Sequence, residues 1–215
     1  MSEIMINLKE DLYDGKVDEV AAATQQALDE GISAGEILNQ GLIAGMDVVG
    51  VDFKSGELFI PEVILCARAM HAGLEVLRPL LIETGIASLG KVVIGTVAGD
   101  MHDIGKNLVS MMLEGAGFEI IDLGTDVQPE QFVEIVRAEG ADLVGMSALL
   151  TTTMLSMKST IDALSEAGLR DSVRILVGGA PVTANFAEQI GADAYAADAG
   201  AAVDTARSLI EVQQT

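Results

Sequence analysis

Val92-Val93-Ile94-Gly95-Thr96-Val97-Ala98-Gly99-Asp100-Met101-His102-Asp103-Ile104-Gly105 is the stretch on which the reading of this chain turns. A short, almost wholly apolar run, Val92–Val97, predicts a strand buried on both faces. The glycine-bounded polar loop after it hands the chain to a helix expected over 104–115. The same unit recurs downstream. Strands are expected at Phe118–Leu123, Leu143–Met146, Arg174–Val177 and Ala194–Ala196, and helices at 129–139, 153–167, 183–190 and 199–211. Five βα units in about 125 residues imply a parallel sheet covered on both sides. A (β/α)8 barrel needs about 250 residues, so an open, doubly wound, flavodoxin-like five-stranded sheet is the expectation for residues 90–215.

Upstream the period changes. Helices are expected from Ile4 to near Gly15, from Val17 to Leu28, and from an N-cap at Ser33 to Lys54-Ser55-Gly56. A fourth carries Pro61 in its first turn and runs toward Glu83, with Pro79 placed to kink it. Residues 1–85 thus read as a four-helix bundle, with the boundary in the 84–90 linker.

Composition narrows the function classes. The 215 residues carry 33 acidic and 12 basic side chains, a net charge of −21, and the sequence pI is about 4.1. Nucleic acid and anionic membrane both require a basic patch, so neither is expected as a partner. The acidity is even: 15 acidic and 5 basic groups in the first 90 residues, 18 and 7 in the rest. Cys66, the single cysteine, sits in an apolar run and reads as a small buried hydrophobe. With no disulfide framework, no signal-like N-terminus and no apolar run of about 18 residues, the expected location is the cytoplasm.

In an open α/β sheet, ligands bind beyond the carboxyl ends of the strands. Those ends are Gly99–Gly105, Ser147-Ala148-Leu149 and Gly178-Gly179. In the strand order 2-1-3-4-5, strands one, three and four are neighbours, and the three segments form one rim. Ionisable side chains are missing from Leu143 to Met157 and from Ile175 to Ala187, in a chain that is 21% charged. Taken alone, such glycine-flanked ends read either as a ligand rim or as tight turns. His102 adds chemistry. An imidazole is the commonest metal-ligating side chain, and a carboxylate on its other nitrogen, here Asp100, fixes tautomer and orientation. The competing reading makes Asp100 an N-cap and His102 its helix-cap neighbour.

Other sites fit the same residues poorly. Five residues separate Gly99 from Gly105-Lys106 where a P-loop has four, and Asn107 stands where a hydroxyl would hold magnesium. The G-x-G-x-x-G fingerprint is absent. A phospho-acceptor domain would want Asp at Ser147, and this loop, with one of the chain's two histidines and no cysteine, makes a poor zinc site. A large ligand that brings most of its metal's coordination remains.

Asp100-x-His102-x-x-Gly105, Ser147-x-Leu149 and Gly178-Gly179, in this order, resemble the signature of base-off, His-on cobalamin-binding domains. The string around His102 is similar to that of cobalamin-dependent methionine synthase. It is also similar to that of the corrinoid proteins of methanol, methylamine and betaine methyltransferase systems. The resemblance extends over nearly the whole chain, because such modules place a four-helix cap before the doubly wound domain. It implies His102 as the lower axial cobalt ligand, displacing the cofactor's benzimidazole, with Asp100 on the far imidazole nitrogen. Thr153, in place of a serine, would complete the relay. Gly105, Gly178 and Gly179 would let backbone approach the nucleotide tail. Ser147 and Thr151 would give it hydroxyls, and Ala199 would line its far end. Met101, Asp103, Ile104 and Leu149, the other residues of the matching motifs, would contact the cofactor. Phe53 and Ile60 fall at the positions of the cap residues.

The function so implied is a corrinoid methyl carrier, not catalytic alone. It would accept a methyl group on cobalt from a substrate-specific methyltransferase, deliver it to an acceptor methyltransferase, and be served by a reductive-activation protein. A corrinoid-dependent sensor or adaptor is the alternative. A mutase subunit is disfavoured by the helical cap.

Overall fold

The computed structural model describes residues 2–84 and 88–213. The chain divides into two compact units, Met1–Ala87 with Gly115–Gly117, and Ser88–Glu114 with Phe118–Thr215. Part of the linker expected at 84–90, residues 85–87, lies outside the described residues.

The helical unit contains α1 (Glu3–Tyr13), α2 (Val17–Asp29), α3 (Ala34–Glu36), α4 (Ala44–Ser55) and α5 (Ile60–Thr84). A π-helical segment, Ile37–Ile43, joins α3 to α4, so the expected third helix is one rod with a wider turn inside it. Periodicity did not show this, because Ile37, Leu38 and Leu42 are buried just as an α-helix would bury them. Ser33 caps the rod, its hydroxyl accepting the Glu36 N–H at 3.2 Å. Pro79 lies within α5, yet the helix continues to Thr84. Leu8, Leu12, Val20, Ile37, Leu42, Val49, Val63 and Leu77 are fully buried. Helices approach closely at Gly73, where a Cβ would meet Leu42 Cδ2 at 2.8 Å. Cys66 is buried, and its thiol donates to the Tyr13 carbonyl at 3.0 Å.

The second unit is the expected doubly wound sheet. Its strands are β1 (Lys91–Thr96), β2 (Glu119–Asp122), β3 (Leu143–Ser147), β4 (Arg174–Gly178) and β5 (Ala194–Ala196). They alternate with α6 (Ile104–Gly115), α7 (Pro129–Glu139), α8 (Met154–Glu166), α9 (Ala184–Ile190) and α10 (Ala199–Gln213). All pairings are parallel, in the order β2-β1-β3-β4-β5. The central strands are apolar between their end residues because helices cover both faces. Val93, Val144, Ile175 and Val177 pack with Phe132 and Val136 of α7 and Met157, Ile161 and Leu164 of α8. Helix and sheet approach closely enough at Gly95 that a Cβ would lie 2.9 Å from the Phe132 ring. Parallel register aligns Thr96, Ser147, Gly178 and Ala196 in one row at the carboxyl edge. The loops after β1, β3 and β4 therefore leave the sheet side by side.

Candidate functional site

From this edge β1 continues through Val97 into a turn closed by the Asp100 N–H on the Val97 carbonyl, 3.1 Å, with Gly99 at φ 82°. The turn points the Asp100 side chain into the protein, where it is fully buried. Its Oδ2 accepts the Leu149 N–H at 2.8 Å, the Leu150 N–H at 3.3 Å and the Thr153 hydroxyl at 2.7 Å. Thr153 Oγ1 also lies 2.9 Å from the Leu150 carbonyl, but its one proton is better placed on the charged oxygen. Asp100 Oδ1 accepts the His102 backbone N–H at 3.1 Å and stands 2.7 Å from the ring Nδ1.

Burial by itself would raise the Asp100 carboxyl. The Thr153 hydroxyl, the Leu149 N–H and His102 outweigh it and hold the group well below the usual carboxylate range. An ionised carboxylate only accepts, so Nδ1 carries the proton and the lone pair is left on Nε2. The His102 side chain is 50% exposed. The residues thus supply one outward nitrogen ligand, oriented by a buried carboxylate and a hydroxyl. Among the described residues, no three His, Cys, Asp or Glu side chains gather around one point to hold a bare metal ion.

The other expected site residues surround this centre unevenly. Met101 (68% exposed) and Ile104 (76%) flank His102, while Leu149 and Leu150 on the next loop are exposed as well. The rim is therefore apolar. Asp103 turns back on its own helix, its Oδ2 taking the Asn107 amide at 3.2 Å. Gly105 faces open space, with no protein atom within 4 Å of where a Cβ would lie. Ser147 ends β3, half-buried; Thr151 is exposed in the turn before α8; Ala199 is buried at the start of α10. Gly178 and Gly179 meet the β3–α8 loop. Gly179 has φ 123°, and a Cβ on it would fall 1.9 Å from the Ala148 carbonyl oxygen. Its lack of a side chain is thus required by the fold, whatever ligand lies beyond. Phe53, half-buried on α4, and Ile60, exposed at the start of α5, belong to the helical unit, beside a 66%-exposed Phe59 that the sequence pattern did not single out.

Nor did it single out Thr96, Ser156 and Lys106. Thr96 is buried and its hydroxyl donates to the His102 carbonyl at 2.8 Å; Ser156 donates to the Ala98 carbonyl at 3.0 Å. Lys106 is buried in an ion pair with Asp122 and donates to Asn107 Oδ1 at 2.7 Å. These contacts tie the His102 loop and the start of α6 to the sheet. Nothing in local sequence spacing announces them.

Comparison with known proteins places this architecture. Residues 90–207 match the model of a B12 binding domain, and residues 7–78 match a second B12 binding domain model. A dimethylamine corrinoid protein of Methanosarcina barkeri is 46% identical over 209 residues, covering 97% of this chain and 98% of its own. The chain belongs to the corrinoid proteins. A trimethylamine corrinoid protein of Methanosarcina acetivorans is 41% identical over 210 residues, 97% of each chain. Among solved structures, a chain of the methanol:cobalamin methyltransferase complex from M. barkeri superposes with a TM-score of 0.88 at 31% identity. The match covers 98% of this corrinoid protein and 80% of that chain. A cobalamin-binding protein from Desulfitobacterium hafniense gives 0.78 at 31% identity, covering 95% and 98%. As the sequence led us to expect, no described helix is long and apolar enough to cross a membrane.

Proposed function

We propose that this corrinoid protein is a methyl carrier. It binds a cobalamin-type cofactor base-off with His102 as lower ligand, accepts a methyl group from a substrate-specific methyltransferase and passes it to an acceptor methyltransferase. The observation that carries the proposal is the buried Asp100 carboxylate on His102 Nδ1, which leaves Nε2 as an outward donor. A single protein ligand suits a metal that a macrocycle already holds by its ring nitrogens, and an apolar rim suits the edge of that ring. When bound, the corrinoid supplies a cobalt centre able to take up and release a methyl group.

The chain's own residues do the rest. Asp100 fixes the imidazole tautomer and, with Thr153, keeps electron density on the ring. Gly105 leaves room for close approach of the cofactor tail to the start of α6. In this reading residues 90–215 would form the cobalamin-binding domain and residues 1–85 a cap domain, whose Phe53 and Ile60 would contact the cofactor. The names of the relatives favour methylamine- or methanol-type methyltransferases as donors. An acceptor methyltransferase and a reductive-activation protein complete the proposed set of partners.

The test is to load wild-type and His102→Ala protein with hydroxocobalamin and reduce both to Co(II). Wild type should show axial nitrogen coupling in the EPR spectrum and take up methyl groups from a methylamine- or methanol-type methyltransferase. His102→Ala should lose the coupling. Unchanged coupling would end the ligand assignment, and no methylation by any such enzyme would end the carrier assignment.

A further inference from the structure

The loop between β2 and α7 reaches across to the His102 loop at two neighbouring residues: the Thr125 hydroxyl lies 3.9 Å from Met101 Sδ, and Asp126 grips the backbone. Asp126 is the only non-glycine residue with positive φ among those described, at 54°. In that left-handed conformation its backbone N–H donates to the Asp100 carbonyl at 2.9 Å, and its Oδ1 accepts the Gly99 N–H at 2.7 Å. Gln128 Nε2 steadies it from behind, 3.2 Å from its carbonyl and 3.3 Å from Oδ1. The loop is itself anchored to β1: Thr96 N–H donates to the Gly124 carbonyl at 2.9 Å, and Val127 N–H donates to the Thr96 carbonyl at 3.0 Å. Aspartate adopts this conformation more readily than most residues, but a left-handed residue persists only where its surroundings over-determine it. Here two hydrogen bonds from one residue grip the two positions before Met101.

We propose that Asp126 is a positioning residue for His102. It holds Gly99 and the Asp100 backbone, and thereby sets where the Asp100 carboxylate presents the imidazole. The proposal rests on the reading of His102 as the cobalt ligand. Asp126 lies outside the relay of Asp100, His102 and Thr153 and acts only through the backbone that carries it. Thr96 and Ser156 grip the same loop at the His102 and Ala98 carbonyls, so Asp126 is the brace on the remaining side.

Three full-length variants test this: Asp126→Gly, Asp126→Asn and His102→Ala. Glycine keeps the left-handed backbone and removes only the side-chain acceptor. Asparagine tolerates the same backbone and retains an Oδ1 acceptor. In the apo protein, the Gly99 amide of Asp126→Gly should exchange about tenfold faster than in wild type, because its partner is gone. Loaded with hydroxocobalamin and reduced to Co(II), Asp126→Gly should show a roughly three- to tenfold lower ratio of nitrogen-coupled to uncoupled signal, the value of a partly exposed hydrogen bond. Asp126→Asn should behave as wild type in both measurements. A wild-type ratio in Asp126→Gly, with coupling lost in His102→Ala, overturns the positioning role and leaves the ligand assignment standing. The positioning role is equally overturned if Asp126→Gly melts earlier but keeps its ratio, or if Asp126→Asn is as impaired as Asp126→Gly. Coupling that survives in His102→Ala overturns the ligand assignment instead.

Discussion

Asp100→Asn separates what the buried carboxylate does for the fold from what it does for the ligand. The change is isosteric, but it replaces one acceptor oxygen by an NH2 group. Three donors converge on Oδ2, namely Leu149 N–H, Leu150 N–H and the Thr153 hydroxyl, so the amide oxygen must take that place. The NH2 then faces His102, where it opposes the backbone N–H and can be satisfied only by an unprotonated Nδ1. The ring proton moves to Nε2, the atom that would bind the metal in the proposed reading. Two magnitudes follow. Hydrogen bonds to an ionised acceptor are roughly twice as strong as neutral ones, and one donor is left opposed, so apo stability at pH 7 should fall by about 2–4 kcal/mol. The ratio of His-ligated to unligated cofactor should fall by about ten- to a hundredfold, since about 1.4 kcal/mol is a factor of ten.

The pH dependence has a definite sign. Folding lowers the Asp100 carboxyl below its ordinary 3.8, so its contribution is complete above that value and is lost as pH falls toward the folded-state value. Asparagine contributes nothing that titrates. The stability gap between wild type and variant should therefore be full at pH 7 and narrow below about pH 4. Urea denaturation of the apo proteins at pH 7 and pH 3 reads the gap, and Co(II) EPR reads the ligation. A gap of equal size at both pH values, or a wild-type share of nitrogen-coupled signal, would refute the reasoning.

The two glycine sites should part company. Gly105→Leu has open space before it, so the apo protein should melt within a few degrees of wild type while cobalamin affinity drops at least about tenfold; Gly179→Leu meets the Ala148 carbonyl at positive φ and should cost about 3 kcal/mol or more without any ligand, read by urea denaturation. Burial pushes the Cys66 thiol up to about 11, from an ordinary 9.0, so iodoacetamide at pH 8 should alkylate the folded protein at least about a hundredfold more slowly than the denatured one. If residues 1–85 cap the cofactor, Phe53→Ala should speed photolysis of the methylated holoprotein and leave its nitrogen coupling intact. Equal photolysis rates would remove the capping role.

The α/β unit was legible because a parallel sheet covered on both faces writes its strands as unbroken apolar runs between glycines. The strands found at Lys91–Thr96 and Leu143–Ser147 differ by a residue at their ends from those expected on sequence alone. The strand order, in turn, placed the three motif segments on one edge. Ser33 was legible because a cap is a local pattern. The π-helical turn at Ile37–Ile43 was not, since Ile37, Leu38 and Leu42 follow a spacing that an α-helix would bury as well. At the site, Asp100 and His102 could be paired from a spacing of two. Their bracing could not, because Asp126 and Ser156 grip the loop from 27 and 58 positions away through main-chain atoms that any residue type offers. Gly179 was read as room for a ligand, and the structure adds a second cause, the adjacent Ala148 carbonyl.

The electrostatics of the Asp100 site explain why a chain of net charge −21 can tolerate a buried carboxylate beside the proposed ligand His102. A buried charge is costly unless it is paired or fully hydrogen-bonded. Asp100 takes the second course: two backbone N–H groups of the β3–α8 loop and one hydroxyl saturate Oδ2, and His102 supplies both donors to Oδ1. The buried ammonium of Lys106 pairs instead with Asp122. Dipoles stabilise the negative charge without cancelling it, so a full charge remains behind the imidazole. A cationic partner would have satisfied burial equally well, but it would have drawn electron density away from Nε2. The donor set therefore favours an electron-rich ring that binds a cationic metal centre better than a neutral side chain could. It also sets a difference between Thr153→Val and Asp100→Asn. The valine removes one donor of several and leaves the charge and the tautomer in place, so ligation should weaken only a few-fold, whereas the asparagine removes both.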